Sequence, residues 1–245
     1  MTKEKYFLDT RLQSLIDESD AVPFDMNGLL LDDESLHLRA LNRVLNDAGM
    51  HRVSANYWSR ECVGHKLTET LPVIIAQRNG HGQHDVLRLI EQYRRNFREL
   101  FRGEAGRVER PGVRGFISYL ASIGKKIPLV TSARSEDVEI IAGEKGLDML
   151  RYFDCVVTGE MVPEGRGKPN PDPYLIAAGR IGAEPYRCVG FEDAYHGIES
   201  LHGARMQSVA VPSRFTRHHD FSKATYVVND LTPGARIIGG KNYSP

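Results

Sequence analysis

Acidic and hydroxyl side chains follow apolar stretches at three places along this 245-residue chain, and a lysine lies in a loop at a fourth. They are Asp25, the pair Thr131-Ser132, the loop residue Lys168, and the pair Glu192-Asp193. These groups match what a phosphoryl group requires, because hydroxyls bind its oxygens, a lysine neutralises its charge and clustered carboxylates hold Mg²⁺. A carboxylate can also attack phosphorus to give an aspartyl-phosphate, which divides one difficult displacement into two easier ones. The residue types therefore predict magnesium-assisted phosphoryl transfer, provided that the fold brings the four places together.

Alternating strand and helix patterns predict a fold that does so. Strand patterns occur at residues 21–25, 127–131, 154–158, 186–191, 207–211 and 225–228. Helical patterns occur between them, at residues 112–123, 135–145, 171–181 and 195–204, and a short one precedes them at 11–19. This alternation predicts the α/β class, with a Rossmann-like core in which helices cover both faces of a parallel sheet. Ligands bind beyond the carboxyl ends of such strands, so all four places would share one rim.

A long helical stretch interrupts this alternation after the first strand. Helices are predicted at 34–45, 67–79 and 84–102, with no convincing strand between them. The stretch predicts a small, all-helical cap domain at residues 36–105, inserted into a core domain made of residues 1–35 and 106–245. Pro23 lies within the first predicted strand, where proline removes a ladder hydrogen bond, and nothing in the sequence explains how the sheet accommodates it.

Composition excludes several other classes of protein. Lysine plus arginine and aspartate plus glutamate number 32 each, so no net charge attracts the chain to nucleic acid or to a membrane. The three cysteines lie far apart, which argues against a disulfide framework or a zinc site. The N-terminal residues lack a signal-peptide pattern, and no apolar run approaches the roughly 18 residues of a membrane helix. We expect a cytoplasmic monomer or weak homodimer.

Four short motifs resemble those of the haloacid dehalogenase (HAD) superfamily, in its β-phosphoglucomutase-like branch. They cover about residues 20–212 in the family's order: Asp25-Met26-Asn27-Gly28, Leu129-Val130-Thr131-Ser132, Gly167-Lys168-Pro169 with Asp172-Pro173, and Gly190-Phe191-Glu192-Asp193 with Gly197-Ile198. The resemblance implies that Asp25 is the nucleophile. It also implies that Asp25, the Asn27 main-chain carbonyl and Asp193 bind Mg²⁺, with Glu192 either a direct ligand or a partner of the ligands.

The same resemblance implies which residues bind the phosphorylated substrate. Thr131, Ser132 and Lys168 would hold the phosphate group. His37 and Lys66, in the predicted cap, are candidates for contacts with the rest of the substrate. For both of them an ordinary surface position on the helical insert is the competing interpretation.

Asn27 is the main departure from the family pattern, which is D-x-D-G at this point. The missing aspartate is the group that protonates the leaving oxygen and then activates water, and an amide does neither. Losing such a group typically costs about 10²–10⁴ in rate. The asparagine would be an introduced substitution, a natural feature of a weak or altered enzyme, or the mark of a pseudoenzyme.

The sequence as a whole predicts a magnesium-dependent phosphatase that acts on a small phosphorylated metabolite, a sugar phosphate above all. Its turnover would be impaired by Asn27. Two alternatives stay open: a phosphomutase of the β-phosphoglucomutase type, and a non-catalytic protein that binds a phosphorylated ligand. Carbon–halogen or phosphonate cleavage is disfavoured, because the Glu192-Asp193 pair argues for a metal and the phosphonate enzymes' cap lysine motif is not clear around Lys66.

Overall fold

The computed structural model describes residues 6, 8–78 and 85–242 of the chain. It divides into two compact units, one made of Met1–Asp32 with Glu109–Pro245 and the other of Asp33–Val108. The helices described are α1 Thr10–Asp17, α2 Glu34–Asp47, α3 Ala55–Tyr57, α4 Leu67–Gln77, α5 Val86–Val108, α6 Val113–Ser122, α7 Ser135–Ala142, α8 Asp172–Ile181 and α9 Tyr195–Gly203.

Short strands form the centre of the first unit, which we call the α/β unit. They are β1 Pro128–Val130, β2 Cys155–Val157, β3 Val189–Glu192, β4 Gln207–Ala210, β5 Tyr226–Val228 and β6 Ile237–Gly239. β1 pairs with β2, β3 with β4 and β4 with β5, all in parallel, whereas β6 runs antiparallel to β5. Every residue of β1 and β3 is buried, as expected for strands covered by helices on both faces.

Residues 20–25 form a central segment that joins the two groups of strands. The sequence predicted a regular strand here, but the structure has isolated parallel bridges at Ala21 and Phe24 instead. Each of these residues is bridged on both sides, towards β1 and towards β3. The segment therefore completes a single sheet in which Asp25 emerges between β1 and β3.

Two prolines explain why the central segment is not a regular strand. The Pro23 carbonyl accepts the Phe191 amide at 2.8 Å. In this register the nitrogen of residue 23 would donate to the Val189 carbonyl, but proline has no N–H group and this hydrogen bond is missing. Pro128 plays the same part in β1, where its carbonyl accepts the Phe24 amide at 2.8 Å and its nitrogen cannot donate back. Each ladder loses one donor and keeps the hydrogen bonds on either side, which is how the sheet accommodates Pro23.

Aromatic side chains fill the core next to this segment. The Phe24 and Phe191 rings stack with their centroids 5.1 Å apart, and Phe116 of α6 meets Phe191 edge-on at 5.2 Å. Leu12 and Ile16 of α1 are also fully buried, so the N-terminal helix belongs to the hydrophobic core. Such buried aromatic pairs hold the segment that carries Asp25 in place.

The second unit is entirely helical in the described residues. Its longest helices, α2 and α5, pack against each other, with the His37 ring stacked on Phe97 at 4.0 Å. A π-helical turn, Trp58–Cys62, follows α3 and had no counterpart in the sequence prediction. The predicted helix ends at residues 79 and 84 lie outside the described residues. Nowhere in the described part of the chain is a helix both long and apolar enough to span a membrane.

The two ends of the helical insertion lie side by side in the α/β unit. Leu31 forms an antiparallel bridge with Glu109, and the Arg110 amide donates to the Leu30 carbonyl at 2.9 Å. The chain therefore leaves the α/β unit and returns to it at neighbouring backbone positions.

Candidate active site

Lys168 and two carboxylates form a buried charge cluster at the carboxyl ends of the central segment and β3. The Lys168 Nζ atom lies 2.5 Å from Asp25 Oδ1 and 2.6 Å from Glu192 Oε1, and it also donates to the Val130 carbonyl at 3.0 Å. The side chains of Lys168, Asp25 and Glu192 are only 8%, 10% and 2% exposed. Ion pairs shielded from water in this way hold their geometry much better than surface pairs do.

The buried environment changes the proton affinity of Asp25. Burial raises the pKa of Asp25 to about 7, the Glu192 carboxylate acts in the same direction, and the Lys168 ammonium opposes both. Burial alone would lower the pKa of Lys168, but Asp25 and Glu192 more than offset it, so the pKa is raised and the lysine stays charged. Asp25 is therefore a carboxyl group that changes its charge near neutral pH.

Protein donors already occupy both oxygens of Glu192. Oε1 accepts the Tyr174 hydroxyl at 2.6 Å as well as Lys168, and Oε2 accepts the backbone amide of Asp193 at 3.2 Å. Burial, and then Glu192, raises the pKa of Tyr174 well above its usual range, so the hydroxyl remains a donor. A Cβ atom at Gly197 of α9 would lie 2.0 Å from Oε1, so only glycine lets this helix approach the carboxylate.

Asp193 lies directly against the loop that follows Asp25. Gly28 has a φ angle of +78°, and a Cβ atom there would come within 2.2 Å of Asp193 Oδ2. Both observations require glycine at this position. The Thr216 hydroxyl donates to Asp193 Oδ2 at 3.4 Å from the other side. The loop after the central segment and the loop after β4 thus enclose the Asp193 carboxylate.

Three carboxylates in this cluster fit a divalent cation. Asp25, Glu192 and Asp193 each place one oxygen within 4.8 Å of the others. Lys168 supplies one positive charge against the three carboxylates, so further positive charge would be stabilised here. An all-oxygen donor set of this kind suits a hard cation such as Mg²⁺.

Thr131 and Ser132 differ in their surroundings. Thr131 follows β1, is buried, and its Oγ1 atom accepts the Ala133 amide at 3.1 Å. Ser132 is exposed, and its carbonyl would lie 2.5 Å from a Cβ atom at Gly159. Both residues sit on the same rim as Asp25, because β1 and the central segment are parallel neighbours.

Asn27 is half-buried in the turn that follows Asp25. The turn is closed by a backbone bridge between Asn27 and Leu31, with the Leu30 amide donating to the Met26 carbonyl at 2.8 Å. These backbone contacts fix the conformation of the turn, and with it the position of Asn27 relative to Asp25.

His37 and Lys66 belong to the helical unit. His37 Nδ1 lies 2.6 Å from the Tyr93 hydroxyl, and its Nε2 lies 3.3 Å from Asp33 Oδ2. Both ring nitrogens are thus engaged inside the helical unit. Lys66 is exposed and directly precedes α4. A substrate contact for either residue stays a prediction.

Sequence reasoning missed two residues of the site, Tyr174 and Arg110. A tyrosine at a fully buried helix position needs a hydroxyl partner, and this was the signal for Tyr174. Arg110 precedes Pro111-Gly112, and its side chain reaches loops that are remote in sequence. Its Nη1 atom donates to the carbonyls of Gly28 at 2.7 Å and Val211 at 2.8 Å. No local pattern identifies such a contact.

Comparisons with known proteins show the family and the fold of the chain. The model of one family, haloacid dehalogenase-like hydrolase, matches residues 20–205. The chain is 30% identical to a phosphorylated carbohydrates phosphatase of Thermotoga maritima over 192 residues, which cover 78% of this chain and 83% of that protein. It is 30% identical to the protein CbbY of Cereibacter sphaeroides over 226 residues, 90% of this chain and 96% of that protein. The crystal structure of a mutant CbbY from Rhodobacter sphaeroides, in complex with xylulose-(1,5)bisphosphate, superimposes with a TM-score of 0.78 at 24% identity, covering 91% of this chain and 97% of that one.

Proposed function

Because the chain belongs to the haloacid dehalogenase-like hydrolase family, we propose that it is a magnesium-dependent phosphatase of phosphorylated carbohydrates that works through a phosphoaspartate at Asp25. One observation carries this proposal. The buried Asp25 carboxylate lies 2.5 Å from the Lys168 ammonium, and an Asp193 oxygen lies close enough to an Asp25 oxygen for the two to share a cation. A nucleophile, a fixed positive charge and a cation site in one place are the parts that phosphoryl transfer needs.

Asp25 attacks phosphorus through a carboxylate oxygen, and the bond from phosphorus to the sugar oxygen breaks. The attacking group must be ionised, whereas burial and Glu192 raise the pKa of Asp25 in the metal-free site and so favour its protonated form. Lys168 favours the ionised form, and it neutralises part of the negative charge that the phosphoryl group brings. Water then hydrolyses the phosphoaspartate and regenerates the carboxylate.

We assign the magnesium ligands to Asp25, Asp193 and the main-chain carbonyl of Asn27. We assign Glu192 to holding Lys168 in place, because both of its oxygens already accept protein hydrogen bonds. When bound, the ion would supply positive charge that offsets the repulsion between a carboxylate nucleophile and a phosphate.

The phosphate oxygens would bind between the loop after β1 and Lys168. Thr131 and exposed Ser132 supply hydroxyls on that rim. Lys168 supplies the charge that orients the phosphoryl group towards Asp25.

Asn27 sets the expected rate. An amide neither protonates the leaving sugar oxygen nor removes a proton from water, so both steps proceed without general acid–base help. The expected penalty is about 10²–10⁴ in rate relative to an aspartate at this position. The proposed activity of the chain is therefore slow, and the cation site survives because residue 27 contributes its backbone carbonyl.

The substrate class is proposed from the relatives. One is a phosphatase of phosphorylated carbohydrates, and another is CbbY, whose mutant has been crystallised with a sugar bisphosphate. We propose that residues of the helical unit, with Lys66 and His37 as candidates, choose among such substrates. The charge cluster itself contains nothing that distinguishes one sugar from another.

The proposal is tested by measuring phosphate release from a panel of phosphorylated carbohydrates, with and without Mg²⁺. The panel would include hexose phosphates, hexitol phosphates and ketose bisphosphates, and product analysis would separate hydrolysis from transfer of the phosphate to another hydroxyl. The parent chain and Asn27→Asp are measured side by side, with Asp25→Asn as the inactive control. Release that persists in Asp25→Asn would exclude Asp25 as the nucleophile.

Asn27 itself favours a second candidate, a protein that binds a phosphorylated carbohydrate without turning it over. In that case, Asn27→Asp would stay inactive on the whole panel, although the parent would still bind a member of it in calorimetry. A product in which the phosphate has moved to another hydroxyl would instead support the mutase alternative.

A further inference from the structure

We propose that Arg110 is a positioning residue that fixes the distance between the Asp25 loop and Asp193, and thereby sets the affinity of the site for Mg²⁺. The inference rests on the proposed function, because it concerns the same cation site. It assigns to Arg110 a role that depends on the shape of its guanidinium group and not only on its charge.

Arg110 connects two loops that are distant in sequence. Its Nη1 atom donates to the Gly28 carbonyl at 2.7 Å and to the Val211 carbonyl at 2.8 Å. Its Nη2 atom donates to the Pro212 carbonyl at 3.2 Å. Gly28 follows the nucleophile candidate by three residues, and Val211 directly follows β4. A single planar group therefore holds both loops at a fixed separation.

The carboxylate of Asp193 lies between these two loops. Gly28 approaches it so closely that any side chain there would collide with Oδ2. On the other side, the loop after β4 leads to Thr216, whose hydroxyl donates to the same oxygen at 3.4 Å. The Val211 amide also donates to the Glu192 carbonyl at 2.7 Å, which ties this loop to the end of β3. A change in the spacing of the loops must displace the Asp193 carboxylate relative to Asp25.

Two possible roles of the Arg110 guanidinium, through its charge or through its planar shape, predict different effects of substitution on Mg²⁺ affinity. If only its positive charge mattered, that charge would oppose a bound cation, so a neutral replacement would strengthen Mg²⁺ binding and a lysine would leave it unchanged. If the planar group positions the loops, a lysine would weaken binding although the charge is kept. A lysine carries all its donors on one nitrogen, so it cannot reproduce hydrogen bonds from two nitrogens to three carbonyls.

The test is calorimetric titration of the full chain with Mg²⁺ alone. Arg110→Lys keeps the charge, and Arg110→Gln removes the charge but keeps an amide donor. Asp193→Asn serves as the reference for a lost ligand. Arg114→Lys is the matched control, because the Arg114 guanidinium also donates to a backbone carbonyl, that of Leu147 at 2.8 Å, and its other partner is the Glu109 carboxylate, outside the cluster. Urea midpoints without Mg²⁺ report the stability of each variant.

We expect both Arg110 variants to bind Mg²⁺ about tenfold more weakly than the parent, as for loss of one hydrogen bond to a charged group. Arg114→Lys should bind like the parent even if its urea midpoint falls equally. Should either Arg110 variant fail to fold, the other provides the comparison. Arg110→Lys with parental affinity, or Arg110→Gln with higher affinity, would overturn the positioning role while leaving the cation site intact. Absence of Mg²⁺ binding by both the parent and Asp193→Asn would reject the cation site, and the role of Arg110 with it.

Discussion

Replacing Lys168 with methionine should destabilise the metal-free protein severely and in a pH-dependent way. The change removes the positive charge from between two carboxylates, Asp25 at 2.5 Å and Glu192 at 2.6 Å, and keeps a side chain of similar volume. Neither carboxylate can turn to water, because their side chains are 10% and 2% exposed. Removing one partner of a buried ion pair typically costs about 3–5 kcal/mol, so we expect a loss of that size at pH 8.

The loss should shrink at lower pH because Asp25 gives up its charge. The pKa of Asp25 is about 7 in the folded parent, where burial and Glu192 raise it and Lys168 opposes them. Without Lys168 the pKa rises further, so the folded variant keeps its proton over a pH range in which the folded parent has released it. The stability difference therefore grows as the pH rises through about 7 and is smallest near pH 5.5.

Urea unfolding in EDTA at pH 5.5, 7 and 8 measures this difference. Lys223→Met is the matched control, because Lys223 also makes a 2.7 Å ion pair, with Glu199, but its side chain is 47% exposed. Exposed ion pairs are screened by water, so the control should lose little stability at any pH. A loss for Lys168→Met no larger than that of the control, or one that is the same at all three pH values, would refute the buried-cluster interpretation.

Four further changes test other parts of the molecule. Asn27→Asp should raise turnover by roughly 10²-fold on sugar phosphates and by less on an aryl phosphate, whose leaving group needs no acid; an equal gain on both in steady-state assays would contradict the lost-acid account. In EDTA, Asp25→Asn should gain stability relative to the parent as the pH rises from about 4 to 7, because the pKa of Asp25 is raised from 3.8 to about 7 on folding. If the difference between their thermal unfolding temperatures stayed the same at every pH, a raised pKa of Asp25 would be excluded. Lys66→Ala should raise the Michaelis constant of the preferred substrate while leaving calorimetric Mg²⁺ affinity unchanged; an unchanged Michaelis constant would remove Lys66 as a substrate contact. Leu12→Ala should cost about 2–5 kcal/mol in urea unfolding, because Leu12 is only 1% exposed, and a cost below about 1 kcal/mol would mean that α1 packs loosely.

The alternating pattern predicted most of the α/β unit because its helices and strands are regular and strongly apolar. The predicted helix at 171–181 is found as α8, and the strand at 154–158 as β2. The strand at 21–25 was predicted too simply. A strand pattern records which side chains are buried, whereas Pro23 and Pro128 change which backbone donors exist. β6 was missed because it pairs antiparallel at the edge, where its pattern is short and half exposed.

Asp25 and Glu192 could be predicted as neighbours because each ends a strand, and Lys168 because it lies in the loop before α8. Contacts that depend on three-dimensional proximity alone could not be predicted. Arg110 donates to the backbone carbonyls of Gly28 and Val211. Every residue has such a carbonyl, so the sequence does not indicate which ones a side chain will contact. The different surroundings of Glu192 and Asp193 were not predictable from the sequence either, because the Tyr174 hydroxyl that donates to Glu192 comes from a helix remote in sequence.

The bridge between Leu31 and Glu109 has a consequence for how such a protein can change over evolutionary time. Because the chain leaves and re-enters the α/β unit at paired backbone positions, the insertion is a loop whose two ends are held together by that unit. The entropy of closing a loop rises only slowly with its length, by about 0.6 kcal/mol for each doubling. Insertions of different size or sequence could therefore replace one another at this junction without disturbing the residues around Asp25. New specificities could arise there by recombination while the chemical machinery is inherited unaltered.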